Sequence, residues 1–355
     1  MKAIVLCAGL GTRLRPLTFS TAKHLVPVAN KPVLYFAIES LVAVGVRDIG
    51  IIVSKESQPI IEGAVADGKR WGVQVAYIEQ TQPRGLAHAA QCAESFVGSD
   101  PFIMYLGDNI LPEGLAPAVE RFRSTGANAV VSLKAVDDPS HFGIAEVEGE
   151  RITRLVEKPK EPRSNLAIVG SYIFDHHIFE SIRQIKPSWR NEYEITDAIQ
   201  NLIDRGLNVV PHVVTGWWKD TGKPDDILDA NRVMLDSLHH SVRGNVDAAS
   251  TLAGIVDIAE GAEIIRSQIQ GPVVIGAKAR IVDARLGPYT SIGERVQIVA
   301  SHVSDSVIME DSAIANVRQP VVGSLIGRKV RVSGSAAGVG AVRLLLGDFC
   351  EGELP

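Results

Sequence analysis

The sequence predicts an α/β domain on a mixed sheet, followed by a parallel β-helix. Short apolar runs alternate with amphipathic helical stretches in the first half, and after about residue 245 an aliphatic residue recurs every five or six positions. With 355 residues the chain exceeds what one hydrophobic core usually serves, so two domains are expected. We place them at residues 1–240 and 241–355.

Four apolar runs in the first half predict buried strands, at residues 3–7, 49–53, 73–78 and 102–106. Between the first two, residues 32–45 begin with proline, carry apolar residues at helical spacing and stop at glycine, the expected order of helix signals. This is the pattern of a Rossmann-like parallel sheet. The loops after Cys7, Ile78 and Leu106 should therefore face one crevice, where ligand sites of such sheets lie.

Consecutive strands without intervening helices follow, which predicts mixed pairing. They are expected at residues 129–136, 144–147, 152–157 and 168–174. A helix is predicted over residues 194–204, a strand over 209–214 and a closing helix over 225–238.

The C-terminal third has a hexapeptide period with Gly or Ala often beside the aliphatic residue. The period predicts a parallel β-helix, whose three-sided coils stack one aliphatic residue per face. A β-sandwich would instead alternate with a period of two. Eleven positions carry the repeat: Ile258, Ile264, Ile269, Ile275, Ile281, Leu286, Ile292, Ile298, Val303, Ile308 and Ile314.

Composition excludes several classes of protein. A content of 46% hydrophobic and 22% charged residues is typical of a globular protein, and the formal charge of −5 argues against nucleic acid as a partner. The three cysteines, far apart and without metal-ligand spacing, favour a reducing cytoplasm. Only five apolar residues follow Lys2, too few for a signal-peptide core or a membrane span.

A glycine turn with cations follows the first strand. Gly9 and Gly11 would let backbone N–H groups approach a polyphosphate, and Arg13 and Lys23 would neutralise its charge. A Rossmann fingerprint needs a third glycine where Leu14 stands, and a Walker loop needs Gly-Lys-Ser or Gly-Lys-Thr, so both fail. Taken alone, the segment also fits a glycine turn without any ligand.

Two aspartates are candidate metal ligands. Asp108 follows the fourth strand, and Asp220 lies beside a second glycine turn. Mg²⁺ bound to nucleotide phosphates takes one or two carboxylates, and its other ligands are water and phosphate oxygens. Each aspartate alone is also compatible with an ordinary turn or helix cap.

Together these residues resemble the sugar-phosphate nucleotidylyltransferases, specifically long-form glucose-1-phosphate thymidylyltransferases of deoxysugar and antibiotic-sugar pathways, which carry a left-handed β-helix. The likeness spans nearly the whole chain. Its motifs are the glycine turn through Arg13, S-T-A-K at 20–23, P-R-G-L-A at 83–87, L-G-D-N at 106–109, E-K-P at 157–159, E-I-T-D at 194–197 and D-T-G at 220–222.

The resemblance implies a magnesium-dependent reaction of dTTP with glucose 1-phosphate. Arg13, Lys23 and Lys158 would act on the reacting phosphates, and Asp108 and Asp220 would hold Mg²⁺. The implied nucleotide contacts are Leu6, Ala8, Gly9, Gly11, Thr12, Gln80, Pro83, Gly85 and Asp108. The implied sugar contacts are Asn109, Gly143, Glu157 and Ile168.

The chain departs from the family at two positions. Cys7-Ala8 stands where many relatives have Ala-Gly, which shortens the glycine run, and Phe142 replaces a tyrosine common in shorter enzymes, which removes a hydroxyl near the sugar.

Three other functions stay open at this point: use of UTP, another nucleotide or another sugar phosphate; acyl transfer at His302 in the β-helix; and a regulatory protein without turnover. The β-helix also predicts a homo-oligomer, either a trimer or a tetramer.

Overall fold

The computed structural model describes residues 1–334 and 340–354. Residues 335–339 and 355, which belong to the predicted second domain, lie outside this description. The α-helices are α1 Val33–Ala43, α2 Gln58–Val65, α3 Leu86–Cys92, α4 Glu94–Val97, α5 Ala116–Thr125, α6 His177–Gln184, α7 Ile195–Asp204 and α8 Pro224–Asp236. None of the helices in the described ranges has the length and apolar character that crossing a bilayer requires.

The strands fall into two groups. The first comprises β1 Lys2–Leu6, β2 Pro27–Val28, β3 Lys31–Pro32, β4 Asp48–Val53, β5 Gln74–Glu79, β6 Phe102–Leu106, β7 Asn109–Ile110, β8 Ala129–Ala135, β9 Gly143–Glu148, β10 Arg151–Glu157, β11 Leu166–Phe174, β12 Val209–Val213 and β13 Lys219–Asp220.

The second group is formed by short strands of two to four residues: β14 Ser241–Val242, β15 Asn245–Val246, β16 Thr251–Ala253, β17 Val256–Ile258, β18 Glu263–Ile265, β19 Gln268–Gln270, β20 Val273–Ile275, β21 Arg280–Val282, β22 Arg285–Leu286, β23 Thr290–Ile292, β24 Gln297–Val299, β25 His302–Ser304, β26 Val307–Ile308, β27 Ala313–Ala315, β28 Val321–Val322, β29 Leu325–Ile326, β30 Arg331–Gly334, β31 Leu345–Leu346 and β32 Glu351–Leu354.

Contacts divide the chain into two compact units. The first contains Met1–Leu10 and Val33–Asp220, and the second contains Gly11–Pro32 and Thr221–Pro355. The glycine segment after Leu10 and helix α8 thus group with the β-helix by their contacts. The domain boundary at residue 240 remains a prediction from sequence.

A nine-stranded sheet forms the centre of the first unit, with β6, β1, β4 and β5 as parallel neighbours. Beyond β6 the pairing changes, because β11 runs antiparallel to β6, β8 and β9. The predicted strands and the mixed pairing are confirmed. The bounds of β6 coincide with the predicted run of residues 102–106.

Apolar side chains on both faces of the sheet explain why these segments fold as strands and helices. Phe102 on β6 stacks on Phe179 of α6, with ring centroids 5.4 Å apart, and both side chains are buried. Helix α7 adds Ile195, Ile199 and Leu202 to the same core. Burying this much apolar surface fixes the strands in register, and the loops at their ends are held by it.

The second unit contains a left-handed parallel β-helix made of three sheets, as the hexapeptide period predicted. Each strand pairs with the strand one coil later, so that Ile264 stands over Ile281 and Ile281 over Ile298. All eleven predicted aliphatic positions belong to one buried core. The regular spacing of aliphatic residues in the sequence therefore reflects the need of each coil to place them in the shared core.

Candidate functional site

Strands β1 and β6 end side by side at the carboxyl edge of the sheet, since Leu6 pairs with Leu106. The ladder continues for one residue beyond, where the Gly107 N–H donates to the Leu6 carbonyl at 3.1 Å. Residues 8–9 and Asp108 then leave the sheet from this shared edge. Open α/β sheets bind their ligands at such an edge.

One predicted metal ligand, Asp220, lies in β13, and the other, Asp108, directly precedes the paired strand β7. Asp220 in β13 pairs with Asn109 in β7, next to Asp108, although more than 100 residues separate them in the sequence. Asp108 is only 7% exposed. The Asn109 amide donates to Asp108 Oδ1 at 3.0 Å and accepts from the Trp218 indole N–H at 2.7 Å. The side chain of Asn109 is therefore oriented from both ends.

This donor set fits a divalent cation. Carboxylate oxygens are the ligands that hard cations such as Mg²⁺ prefer. One carboxylate lies in β13 and the other directly precedes the paired strand β7. Burial, and second the charge of Asp108, raise the pKa of the Tyr105 phenol well above its usual value. Because Asp108 is largely buried, a cation bound at its carboxylate would interact with it in surroundings of low dielectric constant.

Gln80, directly after β5, is held in a defined orientation. Its Nε2 donates to the Gly85 carbonyl at 3.2 Å and lies 3.0 Å from His88 Nδ1. Burial, and second the charge of Arg84, lower the pKa of His88, so the neutral ring can accept this bond. The side chain is 8% exposed. Gln80 is therefore not the solvated loop residue that the sequence alone allowed.

Gly85 fits a position that another residue could not take. Its φ is +98°, and an added Cβ would lie 2.5 Å from the Tyr193 carbonyl oxygen. The Tyr193 N–H donates to the Arg84 carbonyl at 2.7 Å, which joins the loop before α3 to the loop before α7. Pro83, predicted to contact the nucleotide, is exposed in the same loop.

Three of the four predicted sugar contacts meet around Gly143. A Cβ added there would lie 2.6 Å from Thr196 Cγ2, 3.1 Å from Ile168 Cδ1 and 3.2 Å from Glu157 Oε2. Gly143 begins β9 and pairs with Glu157 at the end of β10. The absence of a side chain at Gly143 thus allows Thr196, Ile168 and the Glu157 carboxylate to approach the β9 backbone closely.

Lys158 turns away from the strand that carries Glu157. Its φ is +44°, which is uncommon outside glycine, and its N–H donates to the Phe142 carbonyl at 3.0 Å. The ammonium lies 3.6 Å from Glu157 Oε1. Phe142 packs edge-on against Trp218 with centroids 5.6 Å apart, so its ring fills the place where shorter relatives carry a tyrosine.

Arg190 is a site residue that the sequence analysis missed. Its guanidinium lies 3.5 Å from Glu157 Oε1 and 3.4 Å from Glu194 Oε1, and it also pairs with Glu192. The segment around Arg190 has no periodicity, so the only available signal was its position four residues before the E-I-T-D motif.

The carboxylates around Glu157 are destabilised in their charged form. Burial, and second the charge of Glu157, raise the pKa of Asp197. Burial likewise raises the pKa of Glu194, with Glu157 adding to the shift and a hydrogen bond from Ser188 opposing it. Neighbouring carboxyl groups with raised pKa values are typical of a functional site.

The second unit brings together two of the predicted phosphate contacts. Gly11 has a φ of +63° and precedes a short 3-10 helix, Thr12–Leu14. A Cβ at Gly11 would lie 2.8 Å from the Cβ of Lys23, and the Thr18 hydroxyl donates to the Gly11 carbonyl at 2.7 Å. Arg13 is exposed and Lys23 half-buried.

Known proteins are similar to this chain over nearly its full length. The chain is 45% identical over 356 residues to a glucose-1-phosphate thymidylyltransferase of Streptomyces antibioticus, covering 100% of this chain and 99% of the relative. It is 46% identical over 339 residues to the low-salt glycan biosynthesis nucleotidyltransferase Agl11 of Haloferax volcanii, covering 95% and 94% of the two chains.

A solved structure shows the same likeness. It is that of a Bacillus anthracis protein assigned as a glucose-1-phosphate thymidylyltransferase, in complex with sucrose. The match has a TM-score of 0.63 and 37% identity, and covers 68% of this chain and 98% of the other.

The sheet, its ligand edge and the relatives define an enzyme that transfers a nucleotidyl group. This chain belongs to the nucleotidyl transferase family, whose model matches residues 2–237. Enzymes of this family generally use a divalent metal ion, and small molecules, a sugar phosphate and a nucleoside triphosphate, are their substrates.

Proposed function

We propose that this chain is a glucose-1-phosphate thymidylyltransferase, which converts dTTP and glucose 1-phosphate to dTDP-glucose and pyrophosphate. The observation that carries the proposal is the similarity over its full length to a relative of that name. The buried carboxylate next to β7, the oriented amide of Gln80 and the acidic pocket around Glu157 supply groups that suit this chemistry.

The reaction is a displacement at the α-phosphorus of the nucleotide. A phosphate oxygen of the sugar phosphate forms the new P–O bond, and the bond to the β-phosphate oxygen breaks as pyrophosphate leaves. Such a transfer needs alignment and charge neutralisation more than proton chemistry. Arg13 and Lys23 would neutralise the departing phosphates, and Lys158 the two phosphates that react.

Asp108 and Asp220 would hold the metal ion, for which Mg²⁺ is the proposed identity. When bound, the ion would offset the charge of the triphosphate and favour an aligned conformation. The pairing of β13 with β7, which directly follows Asp108, supports a shared role.

Base recognition is assigned to Gln80 and the loop that contains Gly85. Since Nε2 of Gln80 donates to Gly85, the carbonyl oxygen of its amide is the group that can accept the N3–H of thymine. The same N3–H exists in uracil, so Gln80 selects keto pyrimidines and does not discriminate dTTP from UTP. Leu6, Ala8, Gly9 and Thr12 are proposed to line the rest of the nucleotide.

Sugar recognition is assigned to Glu157, Gly143, Asn109 and Ile168. The Glu157 carboxylate accepts hydrogen bonds from the Thr196 hydroxyl at 3.3 Å and from Arg190 at 3.5 Å, which fix its orientation. A carboxylate held in this way can accept two hydroxyl groups of a hexose at once. Gly170 allows the close approach of Asn109, because a Cβ there would lie 2.8 Å from Asn109 Cγ.

The test is a matrix of dTTP, dCTP, UTP, ATP and GTP against glucose, galactose, mannose and N-acetylglucosamine 1-phosphates, with pyrophosphate release as the readout. The proposal requires the largest kcat/KM for dTTP with glucose 1-phosphate. A preference for UTP would retain the mechanism and change the substrate. Release of no pyrophosphate with any pair would overturn the proposal.

Assembly into a homo-oligomer through the β-helix is a second part of the proposal. Strands β31 and β32 are the last in their sheets, and Phe349 between them is 68% exposed. Open ends of this kind favour self-association. Light scattering coupled to size exclusion should give a multiple of 38.1 kDa, and the monomer mass would contradict this part.

A further inference from the structure

The segment Gly11–Pro32 packs with the β-helix inside the second unit. Its first anchor is Asp348, in the turn after β31. Asp348 Oδ2 accepts the Ser20 hydroxyl at 2.7 Å, and Oδ1 accepts the Arg328 N–H at 2.7 Å. The Asp348 side chain is only 4% exposed. This carboxylate therefore joins two coils of the β-helix to the segment.

Gly347, the residue before Asp348, lies directly under the segment. A Cβ at Gly347 would stand 2.9 Å from the Pro16 carbonyl oxygen and 3.2 Å from the Pro16 Cβ. The backbones thus approach as closely as glycine permits. Pro16 is three residues from Arg13, and Ser20 is three residues from Lys23.

The second anchor is Asn231 on α8, whose side chain is fully buried. Its Oδ1 accepts the Ala29 N–H at 2.9 Å and the Ser291 hydroxyl at 2.6 Å, while its Nδ2 donates to the Tyr289 carbonyl at 3.0 Å. One amide thus bonds to the segment and to a coil of the β-helix, with nearly all of its capacity used.

A second hydrogen bond, from Asn30, holds the turn between β2 and β3 against the β-helix. Ala29 and Asn30 both have positive φ, 48° and 61°, as in the two-residue turn of a tight hairpin. The Asn30 side chain donates to the Ile292 carbonyl at 2.7 Å. Polar contacts with the second unit therefore fix the segment at Ser20 and at the turn between β2 and β3.

We propose that the β-helix positions the triphosphate-binding segment, with Asp348 and Asn231 as positioning residues that hold Gly11–Pro32 in the conformation Arg13 and Lys23 need. The inference rests on the proposed function. A glycine loop loses much conformational freedom when it closes on a ligand, and contacts made before binding reduce that loss. Asp348 and Asn231 act through the segment, so neither needs to touch the nucleotide.

Four variants of the full-length protein test this proposal: Ser20→Ala, Asp348→Ala, Asn231→Asp and Asp283→Asn. The last is the matched control, since Asp283 forms a bidentate pair with Arg266 in the same β-helix, at 2.7 Å to each oxygen. Asparagine tolerates the positive φ of Asp283, 51°.

The first readout is a pair of Michaelis constants. A lost hydrogen bond to a carboxylate corresponds to a factor of about 10. We expect KM for dTTP, at saturating glucose 1-phosphate, to rise about 5- to 10-fold in Ser20→Ala and Asp348→Ala. KM for glucose 1-phosphate should stay within about 2-fold, and Asp283→Asn should match wild type. A further variant that combines Ser20→Ala with Asp348→Ala should have a dTTP KM no higher than that of the more affected single variant, because both remove the same hydrogen bond.

The second readout needs no turnover. Amide hydrogen exchange in the ligand-free protein should be faster within residues 11–32 of Ser20→Ala, Asp348→Ala and Asn231→Asp, and unchanged in Asp283→Asn. A general loss of folding would instead speed exchange throughout and lower kcat with both KM values constant.

Normal exchange of the segment in Ser20→Ala, or a dTTP KM equal to that of wild type, would overturn the inference. Ser20 is exposed, so that variant decides the matter even if Asp348→Ala does not fold. A wild-type protein that releases no pyrophosphate would contradict the proposed function. The hydrogen-exchange data would then test only whether Asp348 and Asn231 anchor the segment.

Discussion

The acidic side chains around Glu157 and those on the coils of the β-helix have pKa values shifted in opposite directions. Around Glu157 burial raises the pKa of Glu194 and Asp197. On the coils, hydrogen bonds from Arg266 and Arg295 lower the pKa of Asp283 and Asp311. Burial disfavours the charged form of the first set, whereas hydrogen bonds favour the charged form of the second. The comparison separates a region built for binding from one built as a scaffold.

The largest expected effect is a loss of kcat on substitution of the two predicted metal ligands. Asp108→Asn and Asp220→Asn should each lower kcat at least about 100-fold, because a charged metal ligand is replaced by a neutral group of the same shape. Pyrophosphate release at saturating substrates measures this, and circular dichroism checks the fold. Asp311→Asn, a coil carboxylate, should retain activity. Full magnesium-dependent rates in either site variant would remove the metal assignment.

A smaller effect is expected at the acidic pocket. Glu157→Gln should raise KM for glucose 1-phosphate about 10- to 100-fold, because one of the two accepting oxygens is replaced by an NH2 donor and the negative charge is lost. KM for dTTP should change little. Glu146→Gln is the matched control, since Glu146 forms only a more exposed pair with Arg154 at 3.7 Å. Equal kinetics of the two variants would contradict the role of Glu157.

Gln80→Ala should lower kcat/KM for dTTP about 10-fold by removal of one directional acceptor. The loss should be smaller for dCTP, whose ring lacks the N3–H, so that the ratio between the two nucleotides narrows. Gln58→Ala in α2, a half-buried side chain whose hydrogen bond to Glu62 is exposed, serves as the control. An unchanged ratio would mean that the base is recognised elsewhere.

Much of the fold follows from local sequence patterns. The apolar runs and the hexapeptide period each indicate, within a few residues of sequence, which side chains are buried. This is why β6 and the eleven aliphatic positions were predicted correctly. The pairing of β7 with β13, which brings Asp220 beside Asn109, joins residues far apart in the chain. No local period encodes such a contact, and only the family resemblance suggested it.

Other features of the site had no sequence signal at all. Arg190 lies in an irregular segment, and its importance becomes visible only from the acids that surround it. Asn231 resembled any polar residue of the closing helix, although its side chain is fully buried. The grouping of Gly11–Pro32 with the β-helix also depends on tertiary contacts between residues more than 200 positions apart.

The smallest effect is on the pH dependence of stability. Because the pKa of Glu194 is raised in the folded state, the folded protein binds this proton more tightly than the unfolded protein does. The contribution of this tighter binding to the stability of the fold is lost as the pH rises from the normal value of 4.5 through the folded pKa of Glu194. Relative to wild type, Glu194→Gln should become more stable across that window. Thermal unfolding midpoints between pH 4 and pH 8 measure the difference.

Asp311 should show the reverse dependence. Its folded pKa is lowered, so its stabilisation is present above the normal value of 3.8 and is lost as the pH falls through the folded pKa. The advantage of wild type over Asp311→Asn should shrink below that pH. The same direction of change in both variants would contradict the contrast between the two regions.

The central claim is tested most directly by the product of one reaction. Wild-type protein with dTTP, glucose 1-phosphate and Mg²⁺ should form dTDP-glucose and pyrophosphate in equal amounts, resolved by anion-exchange chromatography, and Asp108→Asn should form only traces. Absence of dTDP-glucose from the wild-type reaction, or equal yield from Asp108→Asn, would contradict the account.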